Sequence, residues 1–257
     1  MDKIGSVYNF DNMNQYHVGL VLASNSGDRY SESLFENYVV DSYFYPSAAP
    51  SKVPALVSVM PSLVVGLGTC TNCSGSTSVQ GSKITMKSRS RDVWGTSDQF
   101  QFYKPNVPFT QGIALTTNFD ITVRLINWSG AQIWSKAGLM VRDSTHAAAA
   151  DFFMLVPEAH NPLIQYRLTN GASTIRISPD EWNTYPSDMW LQISKRGSVL
   201  SGFYRRPNFE VWNKMGEVTI AFANASGLGL QVGLAVASNS QGVESVAVFQ
   251  DYKYNVV

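Results

Sequence analysis

Charge is scarce in this sequence. Only 15% of the 257 residues are charged, and 19 acidic residues offset 19 basic ones. Holding phosphate backbones or anionic lipid by general electrostatics takes a basic surplus, so neither nucleic acid nor membrane is an expected partner. No run of about 18 apolar residues is present to span a bilayer as a helix. The opening residues, Met1-Asp2-Lys3-Ile4-Gly5, lack the apolar core of a secretory signal. The expectation is a signal already removed, an internal piece of a longer chain, or export by another route.

The residues that most often do chemistry are also few. Three histidines (His17, His146 and His160) stand apart from any nucleophile elbow or metal-binding helix spacing. The seven glutamates never alternate along one strand as the paired carboxylates of a glycosidase do. Asp180-Glu181 is the nearest acidic pair, and adjacent strand residues face opposite sides. No glycine-rich phosphate loop is present, and the chain is not expected to be an enzyme. Its two cysteines form Cys70-Thr71-Asn72-Cys73. A zinc site wants about four ligands and a redox pair wants a following helix, so a small disulfide loop or two unpaired thiols is expected. Three glycosylation triplets, at Asn72, Asn127 and Asn224, fit a secreted chain, although several are expected by chance where Ser and Thr are abundant.

What the sequence does contain is a repeat. Residues 18–26 read VGLVLASNS and residues 232–240 read VGLAVASNS, and in the same register Phe35-Glu36-Asn37-Tyr38 falls on Phe249-Gln250-Asp251-Tyr252. This predicts three parts. Residues 1–45 duplicate the closing strands of a preceding unit, 46–65 form a proline-rich linker around Tyr45-Pro46-Ser47-Ala48-Ala49-Pro50, and 66–257 form one complete domain. Short alternating segments such as 121–126, 164–168, 191–194, 218–222 and 246–249, separated by Gly, Asn and Ser clusters, predict an all-β sandwich. Thr145–Ala150 is too short for a stable helix and is expected to connect strands.

Three stretches carry a resemblance: Asp92–Phe102, with Trp94 and Asp98; Trp134–Asp143, reading WSKAGLMVRD; and the VGLAVASN segment continuing to Phe249-Gln250-Asp251. Their order resembles extracellular modules of the concanavalin-A-like (laminin-G-like) jelly-roll type, including those described as regulators of enolase, over residues 66–257. The resemblance implies a two-sheet antiparallel jelly roll, an extracellular setting, and sugar held on the concave outer face of a curved sheet. If 134–142 is a strand, Ala137, Leu139 and Val141 face one side, and Trp134, Lys136, Met140 and Arg142 the other. Trp134, Lys136, Arg142, Gln165 and Arg167 are therefore the candidate sugar-binding residues. The competing reading packs Trp134 under a loop and pairs Lys136 and Arg142 with Asp143 or Asp151. Aspartates of laminin-G-like relatives often hold calcium, and Asp92 and Asp98 on a strand, helped by Asp251, are the candidates; otherwise they cap turns.

Three functions are expected from these residues: a non-catalytic module binding a glycan or extracellular matrix, a structural or adhesive subunit that self-associates through residues 1–43, or an accessory domain of a larger secreted glycosidase. The second draws on the repeat alone. Apolar strands without partners associate.

Overall fold

The computed structural model describes residues 58–59, 62–66, 72–105, 111–179 and 188–257, all inside the compact unit Pro54–Val257. The duplicated segment 1–45 lies outside the described residues, as do Cys70 and the pair Asp180-Glu181.

Fifteen strands and no helix form among the described residues. They are β1 (Ser58–Val59), β2 (Leu63–Val65), β3 (Gly75–Gln80), β4 (Lys83–Ser88), β5 (Phe100–Tyr103), β6 (Phe119–Ser129), β7 (Lys136–Arg142) and β8 (Asp151–Pro157). Then come β9 (Leu163–Arg167), β10 (Ile175–Ile177), β11 (Met189–Arg196), β12 (Val199–Arg205), β13 (Asn213–Thr219), β14 (Gln231–Ala237) and β15 (Ser245–Val256). An eight-stranded sheet has the order β1-β3-β4-β15-β6-β11-β12-β13, and a seven-stranded sheet β10-β9-β8-β7-β14-β5-β2. Neighbouring strands are antiparallel throughout.

The alternation seen in the sequence sets which residues meet between the sheets. Phe119, Ile121, Val123 and Leu125 of β6 and Leu191 and Ile193 of β11 face Ala137, Leu139 and Val141 of β7 and Phe152 and Met154 of β8 in one apolar core. Two short turns need a left-handed backbone: Gly197 (φ 57°) joins β11 to β12, and Gly171 (φ 78°) follows β9. The 145–150 segment connects β7 to β8 without forming a helix.

Two expectations are corrected. The sandwich begins within the stretch assigned to the linker: Ser58 and Val59 pair with β3, and Leu63, Val64 and Val65 pair with β5. Val65 is buried against phenylalanines of β5. An apolar Leu-Val-Val run past the prolines is a strand wherever an open sheet edge receives it. The second correction concerns Asp92, Trp94 and Asp98, which lie in a loop that ends where β5 begins at Phe100.

That loop changes the character of the seven-stranded sheet. Its outer face is a second core instead of an open trough: Met140, Phe153, Leu155, Leu163, Phe100 and Phe102 pack there, with Val93 of the loop inserted among them. Strands β7, β8 and β14 are consequently buried on both faces.

Candidate functional site

The 92–99 loop is closed on itself, since the Gln99 amide donates to the Asp92 carbonyl at 2.7 Å. It is fixed to the sheet at both ends. At one end the Lys136 ammonium, itself almost wholly buried, donates to the Asp92 carboxylate and to the Trp134 carbonyl at 3.1 Å. Burial lowers the Lys136 pKa, against the opposing pull of Asp92.

At the other end lies a set of charges with no solvent exposure. Arg142, Asp151 and Arg167 form one row across β7, β8 and β9, and Asp98 comes down onto that row from the loop. Asp98 Oδ2 accepts from Arg142 Nη1 and Arg167 Nη1, each at 2.9 Å, and Oδ1 accepts from Arg167 Nη2 at 2.7 Å. Asp151 Oδ2 accepts from Arg167 at 3.0 Å and stands 3.8 Å from Arg142. Arg142 also lies 4.9 Å from the centroid of the Phe100 ring. Burial and the neighbouring Asp98 push the Asp151 carboxyl up to about 7, against both guanidiniums. Its Oδ1 is buried without a hydrogen-bond partner.

Between these anchors a cavity of about 340 Å³ opens, lined by Asp92, Trp94, Trp134, Lys136, Gln165, Arg176 and Asn239. Trp94 is 47% exposed. Gln165 is buried on β9 with its Oε1 lacking a hydrogen-bond partner. Arg176 is register partner to Gln165 across β9 and β10, so both stand on this face. Trp134 stacks on His160 at 4.1 Å between ring centroids and has the Arg176 guanidinium 5.6 Å from its ring. Burial and Arg176 lower the His160 pKa. Asn239 holds a left-handed turn (φ 52°) directly after β14, inside the repeated ASNS sequence.

Of the five sugar-binding candidates, the structure thus brings Trp134, Lys136 and Gln165 to one cavity. It places Arg142 and Arg167 beneath it, where their donors are taken by Asp98, Asp151 and backbone carbonyls. The expected partners of the cations hold in part: Arg142 does pair with Asp151, at 3.8 Å, but bonds more closely to Asp98, and Lys136 pairs with Asp92 instead. Trp94, Arg176 and Asn239 were not picked out as cavity residues from the sequence. The nearest signal was the alternation Gln165/Arg167 on β9, which a hairpin partner extends to Arg176.

No family model and no curated protein matches the sequence. Among solved structures, a protein of unknown function from Saccharomyces cerevisiae aligns over 72% of this chain and 97% of its own, with 17% identity and a TM-score of 0.52. The chain is a jelly-roll sandwich. At such identity the likeness is one of fold alone. A GH43 protein from Bacillus licheniformis aligns at TM-score 0.48 with 11% identity over 67% of this chain, which spans only 33% of that structure. An alginate lyase of polysaccharide lyase family 7 aligns at TM-score 0.45 with 10% identity, over 68% and 79% of the two chains.

The sandwich separates the three aspartates considered for calcium. Asp92 and Asp98 are bonded to Lys136, Arg142 and Arg167. Asp251 lies on β15 in the other sheet, at a left-handed position (φ 56°). Among the described residues no three His, Cys, Asp or Glu side chains are grouped to share an ion, so these residues do not fit a calcium site.

Cys73 is buried and disulfide-bonded, and Cys70 is the only other cysteine in the sequence. Asn72 and Asn127 are exposed. Asn224 is half-buried in a turn, where its Oδ1 accepts from the Gly229 amide at 2.8 Å.

Proposed function

We propose that this chain is a non-catalytic, extracellular carbohydrate-binding module whose ligand site is the cavity between Trp94 and Gln165. One observation carries the reading: a half-exposed indole stands over a cavity in which a buried amide oxygen has no hydrogen-bond partner. A sugar offers both complements, an apolar ring face for stacking and hydroxyl donors for the oxygen. The volume is at the small end for ligand sites, which suits one or two sugar units. Cleavage by a glycosidase takes two carboxylates; the only one among the described lining residues is Asp92, and Lys136 holds it. The extracellular setting is supported by the disulfide of Cys73, since disulfides persist in oxidising compartments. The likeness to regulation-of-enolase modules belongs to the same proposal.

The test is a glycan array followed by calorimetric titration of the best oligosaccharide. Trp94→Ala should weaken binding about tenfold with little change in melting temperature, and no reducing ends should be released. An array without signal, or full affinity in Trp94→Ala, would refute the reading.

The repeat favours a second role as an assembling subunit. The slots of β14 and β15 lie in the middle of their sheets and are bonded on both sides, so the duplicate at 18–43 has no vacant equivalent in its own sandwich. Light scattering on the full chain and on one starting at Pro54 distinguishes the two roles: loss of a larger species on shortening supports assembly, and a monomer in both rejects it.

A further inference from the structure

We infer that Arg167 and Thr174 are positioning residues for the cavity, setting its affinity by fixing Trp94 from beneath without touching the ligand. The inference deepens the carbohydrate reading and rests on it for its effect on affinity. The carbonyl of Gly95, the residue next to Trp94, accepts from the Thr174 amide at 2.8 Å, from Thr174 Oγ1 at 2.9 Å and from Arg167 Nη2 at 3.1 Å. The same Arg167 Nη2 also donates to Thr174 Oγ1 at 3.1 Å and to Asp98 Oδ1 at 2.7 Å.

One guanidinium therefore grips the loop on both sides of its tip, at Gly95 and at Asp98, while its own side chain is completely buried. Gly95 is in the left-handed region (φ 66°), and a Cβ there would meet nothing within 4 Å. With that direction open, the hydrogen bonds to the Gly95 carbonyl hold the tip between the loop's other anchors, Val93 in the second core and the Asp98 amide on the Ala147 carbonyl at 2.9 Å. A guanidinium provides several donors in a rigid plane, which an ammonium cannot reproduce. An indole held in place before binding spares the ligand the cost of ordering it.

The test uses the full chain and two variants. Thr174→Val removes the hydroxyl and keeps the amide bond, and Arg167→Lys keeps the charge and loses the planar fork. The first readout is the Trp94 indole N–H resonance in isotope-labelled protein, assigned by its disappearance in Trp94→Phe. In both variants it should shift or double while the resonances of Trp128 and Trp190 stay in place. The second readout is titration with the best array glycan, expected to weaken by up to roughly tenfold, the cost of ordering one loosened side chain on binding. An unmoved Trp94 resonance in Thr174→Val overturns the inference, as does weaker binding without such movement, which would mean direct ligand contact. Should Arg167→Lys not fold, Thr174→Val decides alone. Should no glycan bind even the unaltered protein, the carbohydrate reading fails, and the resonance still decides whether these residues place Trp94.

Discussion

Asp98 shows how one residue can change meaning between sequence and fold. An aspartate between turn-forming residues invites a capping or metal-binding role, yet here it lies between two guanidiniums that solvent does not reach. A buried pair of this kind adds little over a well-packed apolar substitute, but removing one partner strands the other charge. Asp98→Ala is therefore expected to lower unfolding free energy by about 3–5 kcal/mol, measured by urea denaturation. Asp151 contributes a pH dependence of known sign. Its folded pKa is raised from 3.8 to about 7, so across that window the folded protein keeps a proton that the unfolded chain has released. Stability from this group falls as pH rises through the window and is level above it. Asp151→Asn should flatten that slope, seen in urea midpoints at the two ends. Nothing in the local sequence reveals these shifts, because they arise from three strands and a loop distant in the chain.

At the scale of elements, the strands and their faces were legible. The alternation in 136–142 correctly assigned Ala137, Leu139 and Val141 to the space between the sheets, and between them Gly138 meets the neighbouring strand closely. A Cβ at Gly138 would stand 2.1 Å from the Met154 carbonyl oxygen and 2.8 Å from Leu155 Cα. Gly138→Ala should cost about 3 kcal/mol, measurable as a lower melting temperature, because neither contact is a flexible side-chain tip. The other face of the same strand was misread as an open trough. Period-two patterning tells which residues share a face, but not whether a loop will cover it. Met140 and Arg142 look amphipathic in sequence, and only the arrival of Val93 and Asp98 makes that face a second core with a charged border.

For the whole molecule, the C-terminal strands close the fold. β14 lies between β7 and β5, and β15 between β4 and β6. Removing residues 243–257 should leave no cooperative unfolding transition, since both neighbours of β15 lose their ladders at once; a calorimetric scan checks this. Pairing of β15 with β4 and β6 joins residues more than a hundred positions apart. Refolding is therefore expected on the slow timescale of milliseconds to seconds typical of sandwiches, measured by stopped-flow fluorescence. The all-β class, the inward faces, the repeat and the balance of charge were determined by the sequence itself, because composition and alternation are local properties written residue by residue. The loop laid over the seven-stranded sheet, the burial of Arg142 and Arg167, and the gathering of Trp94, Gln165, Arg176 and Asn239 at one cavity were decided by the tertiary structure. Those features depend on which distant segments come together, and long-range packing sets that.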